Sequence, residues 1–171
     1  IAAATELFSR HGFHAVGMRA IADAVGIRGS SIYHHFPSKL DLLYAITMDS
    51  TRTFIDGHLP TLDRDVPRAE RIRYLVIEHI LYFHEHRAEE AVGLRELEEL
   101  RAHAPEQYAD IQRIRRSYQD GIERTIAAGM ADGEFGCPDA RLAALALLGL
   151  VNSVNDWYRD GGARTIREVA E

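Results

Sequence analysis

Apolar residues in this chain recur three and four positions apart from end to end, and no stretch alternates apolar and polar as a half-buried strand would. The pattern predicts an all-α protein of about nine helices. The first helix carries Ala4, Leu7 and Phe8 and closes at Gly12-Phe13. In the second, Met18, Ile21, Ala22 and Val25 form one apolar stripe. Gly26 stands where a left-handed residue would stop that helix, and Ile27 is expected to plug the gap to the third. The segment Arg28 to Phe36 turns only Ile32 and Phe36 toward a core. Pro37 disfavours helix at Phe36. Ser38 caps the next helix, with Asp41 at the reciprocal capping-box position, and that helix runs to about Gly57 with Leu42, Leu43, Ile46 and Phe54 on its apolar side.

Pro60 and Pro67 bracket the following loop, and Pro67 suits a helix start. Ile72, Leu75, Val76, His79, Ile80 and Phe83 then share one face. Residues 87–100 read as one short acidic helix with Leu94 and Leu97 turned inward. Pro105 opens a long helix through Tyr108, Ile111, Ile114, Tyr118, Ile122 and Ile126 to Gly129. Gly133, Gly136 and Pro138 break the chain, and Asp139 begins a helix to about Arg159. After Gly161-Gly162, Thr165 and Glu168 form a capping box for the last one. The run Leu142 to Val151 is apolar around its whole circumference, so it must be buried on all sides. A bundle of this size covers one face, and a second copy of the chain is expected to cover the other. Leu142, Ala146, Gly149, Ser153 and Trp157 are the expected pairing surface, its small residues allowing close approach.

The segment around residues 21–39 has the outline of a helix-turn-helix, whose second helix reaches into a DNA groove. That helix shows Arg28, Ser30, Ser31, Tyr33, His34 and His35 outward with no acidic residue among them, which suits a polyanion. Lys39 stands in the next first turn, where a cation and a helix N-terminus both favour a phosphate. Residues 1 to about 57 resemble the DNA-binding domain of the tetracycline-repressor (TetR) family of bacterial regulators. The resemblance rests on Ala4, Leu7, Phe8, Gly12-Phe13, Ile21-Ala22, Gly26-Ile27, Tyr33, Phe36 and Ser38-Lys39 in their usual order and spacing. It implies that Tyr33, His34 and Lys39 contact phosphates and that Arg28, Gly29, Ser30 and Ser31 lie at or near base edges. It also implies a homodimer on a palindromic double-stranded operator, most simply a repressor, with a small-molecule effector in the C-terminal bundle that tilts the helix from Ser38. Two departures stand out. Val16-Gly17 replace the usual Thr or Ser before the second helix. Arg28 and Ser30 replace the usual cap and glycine of the third, so Gly29 or Ser30 is expected to take the cap role.

Composition narrows the rest. Of 171 residues, 46% are hydrophobic, enough for a packed core, and 27% are charged. The single cysteine, Cys137, excludes an internal disulfide framework and fits a reducing compartment, so a cytoplasmic protein is expected. No signal peptide is read, and the longest apolar run is too short for a bilayer, so no membrane partner is expected. The chain starts without Met inside a helical pattern and ends inside another, and further residues are expected beyond both ends. The net charge of −6 falls entirely after residue 58, since five basic and five acidic residues balance before it. The division expected is a DNA-binding domain over 1–45 and an effector-binding, dimerising domain over 46–171.

No catalytic constellation is found, so no enzyme and no cofactor are expected. His84-Glu85-His86 lacks the i, i+4 spacing of a helical zinc motif. Glu89, Glu90, Glu96, Glu98 and Glu99 lack the Glu-x-x-His pairing of a di-metal bundle and read as a solvated face, and no metal site is assigned. Tyr44, Met48, Phe54, Leu75, His79, Phe83, Leu97, Tyr108, Ile111, Tyr118 and Asn155 are the apolar or amphipathic inward residues that would line an effector pocket. The carboxyl end, Asn155 to Gly162, resembles regulators of fatty-acid or steroid breakdown, some of which sense acyl-CoA thioesters. The alternative is a helical-bundle metal or cofactor protein whose helix-turn-helix is incidental.

Overall fold

The computed structural model describes residues 1–171, apart from the side chain of Ala88. Ten α-helices and one 3-10 turn account for the described residues, with no strand: α1 Ala2–His11, α2 Met18–Ala24, α3 Gly29–His35, α4 Lys39–His58, the turn Leu59–Asp63, α5 Arg68–Glu85, α6 Arg87–Arg95, α7 Leu97–His103, α8 Pro105–Ala131, α9 Ala140–Trp157 and α10 Ile166–Ala170. The pattern read as one helix over 87–100 is two helices, divided at Glu96 (φ −97°, ψ 4°). Glu96 gives α7 no side-chain cap, because its carboxylate is engaged elsewhere, by the Phe13 N–H.

The chain forms two compact units, residues 1–52 with 87–113, and residues 53–86 with 114–171. In the first, α2 packs on α1 and α3, and α1 also packs on α6. Phe8, Met18, Ile21, Ala22, Ile32, Leu42 and Leu43 are buried as their spacing requires. Gly26 has φ +70° and ends the α2 turn, its N–H bonded to the Asp23 carbonyl at 3.1 Å. Three side chains depart from the sequence pattern. Val25 is 48% exposed, Ile27 is also exposed and plugs nothing, and Leu94 is 50% exposed instead of inward. Helical phase assigns a residue to a face, but that face is buried only where another element covers it. The third helix starts differently too. Arg28, with extended backbone, occupies the cap position without a side-chain bond, and its carbonyl accepts the Ser31 N–H at 2.8 Å. Neither Gly29 nor Ser30 caps it.

In the second unit, α5 packs against the 3-10 turn, α9 and α10. Phe54, Leu75, Phe83, Tyr118, Ile122, Ile126 and Ala144 form one buried cluster, and Ile80, Val151, Val154 and Ala170 form another. His79 is buried at 3% exposure beside the rings of Phe54 (centroids 4.9 Å) and Phe83 (4.5 Å, stacked). Its Nε2–H donates to Asn152 Oδ1 at 3.1 Å, which leaves Nδ1 to accept the Tyr118 hydroxyl at 3.3 Å. Both ring nitrogens are therefore satisfied by a neutral imidazole. Burial lowers the His79 pKa from 6.5 to about 4, with the nearby His58 adding to the effect against the Asn152 bond. Burial also raises the Tyr118 phenol, followed by the field of Glu78. Asp139 caps α9 by accepting the Leu142 N–H at 2.9 Å, and Thr165 with Glu168 makes the expected capping box on α10.

Two stability effects are expected. A Cβ at Gly26 meets no atom within 4 Å, so Gly26→Ala carries only the left-handed backbone cost of about 1–2 kcal/mol, readable as a lower melting temperature. For His79, the unfolded chain gains its proton near pH 6.5 and the folded chain only near pH 4. The unfolded state binds more protons in that window, so stability is full above pH 6.5 and falls as pH drops toward 4. The loss is on the order of 3 kcal/mol from this one group. Denaturant titrations of wild type and His79→Phe at pH 7.5, 6 and 5 should show a smaller loss on acidification in the variant. An equal loss in both would mean that His79 does not govern this window.

Candidate nucleic-acid interface and regulatory core

The third helix is pinned from below and open above. Ile32 is buried and Phe36 half-buried, while Arg28, Ser30, Tyr33, His34 and His35 are exposed, Tyr33 by 50%. Gly29 and Ser31 are half-buried at the start of the helix. No Asp or Glu occurs between residues 24 and 40. Among the described residues, the side chains of Arg28, Tyr33, His34 and His35 have no hydrogen-bond or ion-pair partner. The face thus presents one fixed cation, a phenol, two imidazoles and hydroxyls, all able to donate to anionic oxygens.

Lys39 has a different first duty from the one its position implied. Its ammonium donates to the carbonyls of Phe13 (2.8 Å) and Val16 (3.1 Å) and lies 4.3 Å from the centre of the Phe13 ring. Two of its three donors are thereby occupied, and the third is left. From the other side of the same residue, the Phe13 N–H donates to Glu96 Oε1 at 3.3 Å. Ser38 donates to Asp41 Oδ2 (2.7 Å) and accepts the Asp41 N–H (3.1 Å), and Gln107 donates to Asp41 Oδ1 (2.8 Å). The Ser38 hydroxyl, then the Gln107 amide, hold the Asp41 carboxyl below its ordinary range. The start of α4 is fixed by these bonds.

The acidic residues of α6 and α7 are not simply a solvated face. Glu90 is buried and accepts the Ser50 hydroxyl at 2.6 Å, and Glu99 meets His14 at 2.9 Å. Only the side-chain packing around residues 13, 14 and 50, far away in sequence, distinguishes them from solvated carboxylates such as Glu98, whose side chain is 73% exposed. Among the described residues no three His, Cys, Asp or Glu side chains are grouped to hold one metal ion, and no helix is long and apolar enough to cross a membrane.

The eleven residues expected to line an effector pocket divide between the two units. In the first, Met48 and Ile111 are buried and Tyr44, Leu97 and Tyr108 half-buried. The Tyr44 hydroxyl donates to Asp110 at 3.3 Å, and burial, then the Asp110 charge, raises its pKa. In the second unit Phe54, Leu75, His79, Phe83 and Tyr118 meet in the cluster described above. The space bounded by Leu75, His79, Tyr118 and their neighbours Ile122 and Val151 leaves no room for a water molecule. Asn155 is exposed and does not join it. It has the helical phase of Leu148 and Val151, yet Asn152 is the residue that reaches His79. Nothing in the sequence pattern singled out Asn152.

The α9 helix is buried on one side through Ala144, Val151 and Val154, while Leu142 (63%), Leu145, Leu150 (62%) and Trp157 are exposed. Ala146 and Gly149 are exposed among them and Ser153 is half-buried. A Cβ at Gly149 meets nothing. The side that the sequence assigns to a second copy is therefore bare in the single chain.

Comparison with known proteins agrees with this arrangement. Residues 1–46 match the family described as bacterial regulatory proteins, tetR family, and residues 65–171 match the tetracyclin repressor-like C-terminal domain. The transcriptional repressor KstR2 of Rhodococcus jostii is 28% identical over 171 residues, covering 98% of this chain and 82% of that protein. The crystal structure of a bacterial regulatory protein of the tetR family from Rhodococcus RHA1 is 31% identical with a TM-score of 0.88, covering 99% of this chain and 87% of the other. The regulator PfmR of Thermus thermophilus is 26% identical with a TM-score of 0.86, covering 99% and 93%. The chain belongs to the TetR family and is a DNA-binding transcriptional regulator.

Proposed function

We propose that the protein is a homodimeric repressor that acts by binding alone. It leaves a palindromic operator when a small apolar or acyl-CoA-type effector binds. Residues 1–45 read DNA, and residues 46–171 hold the effector and pair the chains. Tyr33, His34 and the remaining donor of Lys39 contact phosphates, and Arg28, Gly29, Ser30 and Ser31 face base edges. The observation that carries the proposal is the coexistence in one chain of an exposed, acid-free α3 face and a bare apolar side of α9. One head offers few contacts, and two heads on successive half-sites are needed for a specific complex. The name of the KstR2 relative favours repression over activation.

Pairing is energetically reasonable. Leu142, Leu145, Leu150 and Trp157 from each of two chains make eight side chains, each roughly half-exposed. Covering that remaining surface is worth on the order of 1 kcal/mol each, which is comparable with an association cost of about 4–15 kcal/mol. Additional apolar and small residues on the same side make up the surplus. The switch uses α4, one continuous helix from Lys39 to His58. It carries Lys39 in its first turn and Phe54 toward its other end. An effector that moves the Phe54 end tilts the Lys39 end and changes the separation of the two α3 helices. A hundredfold loss of operator affinity requires about 2.7 kcal/mol of coupling, and DNA weakens effector binding by the same factor.

Operator binding by fluorescence anisotropy tests these roles. Tyr33→Ala is expected to raise Kd about tenfold or more by removing a phosphate contact from each head, nearly equally for all sequences. Because Lys39 also holds two carbonyls, Lys39→Ala is expected to lower the melting temperature as well as affinity. Unchanged affinity in Tyr33→Ala would remove α3 from the interface. Gly149→Arg has space in the single chain but would place a charge in the paired surface, at a cost of several kcal/mol. The expected result is a folded monomer by sedimentation with operator binding lost. A dimer of normal affinity would place the pairing surface elsewhere.

A further inference from the structure

Phe13 stands in the turn between α1 and α2 and is buried. Its N–H lies past the end of α1, whose last bond is taken by Gly12 (φ +81°), donating to the Phe8 carbonyl at 2.8 Å. A buried N–H needs an acceptor. Among the described residues Glu96 supplies it, from far along the chain, with Oε1 at 3.3 Å. The carbonyl of the same Phe13 receives the Lys39 ammonium at 2.8 Å, and the Val16 carbonyl receives it at 3.1 Å. We infer that Glu96 is a positioning residue for DNA binding. By holding the Phe13 N–H it fixes the turn on which the Lys39 ammonium rests, and so keeps the third Lys39 donor placed for a DNA phosphate. This rests on the phosphate role proposed for Lys39 above. It adds that a residue of the α6–α7 junction, outside residues 1–45, sets that contact.

The turn has few other supports. The Val16 N–H returns to the Phe13 carbonyl at 3.4 Å, a long bond, so one carbonyl serves two donors. The Phe13 ring meets Phe8 edge-on at 5.3 Å and lies 4.3 Å from the ammonium. These contacts hold the ring, and the Glu96 bond holds the main chain behind it. Glu96 is itself well placed for this. Its N–H donates to the Val92 carbonyl at 3.1 Å, and its carbonyl accepts the Glu99 N–H at 3.0 Å. It occupies the cap position of α7 but gives that helix no side-chain bond, although a cap side chain ordinarily serves its own helix. The carboxylate goes to the turn instead. Three residues on, Glu99 meets the ring of His14, the residue after Phe13, at 2.9 Å. Two consecutive residues of the turn are thus tied to one end of α7.

Positioning and plain electrostatics predict opposite signs. A carboxylate repels a polyanion, so if Glu96 acted through its charge alone, removing the charge would tighten DNA binding and keeping it would change nothing. Positioning depends on reach and on an acceptor oxygen. Gln keeps both without the charge. Asp keeps the charge but is one carbon shorter, and at a cap position it turns to the N–H groups of its own helix. Each phosphate neutralised adds about 0.9 to the slope of log affinity against log salt. Loss of folded protein lowers the active fraction and leaves that slope unchanged, so the slope reports the Lys39 contact and not general stability.

The test is the salt dependence of binding by the full chain to a duplex that the wild type selects from a random-sequence pool. Lys39→Ala sets the scale, its slope expected to fall by about one unit per head. Glu96→Asp is expected to lose at least half as much slope as Lys39→Ala and to bind about threefold or more weakly. Glu96→Gln is expected to keep the wild-type slope and to bind as tightly as the wild type or more so. Glu98→Ala removes a charge from an exposed position on the same helix and should leave the slope unchanged. A smaller loss of slope in Glu96→Asp, or an equal loss in Glu96→Gln and Glu96→Asp, overturns the inference while the phosphate role of Lys39 stands. An unchanged slope in Lys39→Ala overturns that role, and the inference with it.

Discussion

A helix that is apolar around its whole circumference needs cover on every side, and this chain covers α9 on one side only. Leu142 to Val151 imposes this condition, and much else in the protein follows from it. The inner side of α9 closes the second unit through Ala144, Val151 and Val154. The outer side, with Leu142 and Leu150 more than half exposed, has no cover. In the proposed dimer a second copy supplies that cover and brings a second α3 with it. One apolar run would thereby link the stability of the bundle to the number of DNA-reading heads.

The head depends on a smaller constraint, the two polar ends of Phe13. Its carbonyl holds the Lys39 ammonium and its N–H meets Glu96. With the Ser38–Asp41–Gln107 bonds, these contacts fix where α4 begins. Long charged side chains are more often solvated, and exposed pairs contribute little. Here Lys39 serves by partly buried hydrogen bonds to backbone carbonyls and by the ring beneath it. A cation that anchors the head on one side and keeps one donor free can couple the integrity of the fold to contact with a phosphate.

Much of this was legible in the sequence because it depends on local rules. Helical periodicity located α1 to α5 and α8 to α10, Gly26 marked the turn, and the Ser38, Asp139 and Thr165 caps formed as their side chains dictate. What escaped notice depends on neighbours distant in sequence. Val25, Ile27 and Leu94 have inward phase or an apolar side chain but no element over them. Glu90 and Glu96 look like surface carboxylates until Ser50 and Phe13 arrive from elsewhere in the chain. Asn152 and Asn155 are three residues apart on one helix, and only the position of His79 selects the first. The course of the α8–α9 loop was invisible for the same reason: it is set by Gly133, Glu134 and the first turn of α5. The Gly and Pro residues there announce a break and not where the chain goes next.

If α9 pairs two chains and α3 reads DNA, both must be visible in the same complex. Native mass spectrometry of the protein bound to a short duplex carrying its operator measures this directly. The expected result is an even number of chains on each duplex, two at the simplest palindrome, with no one-chain complex under conditions that saturate the DNA. A saturated complex containing a single chain, formed at full affinity, would contradict it.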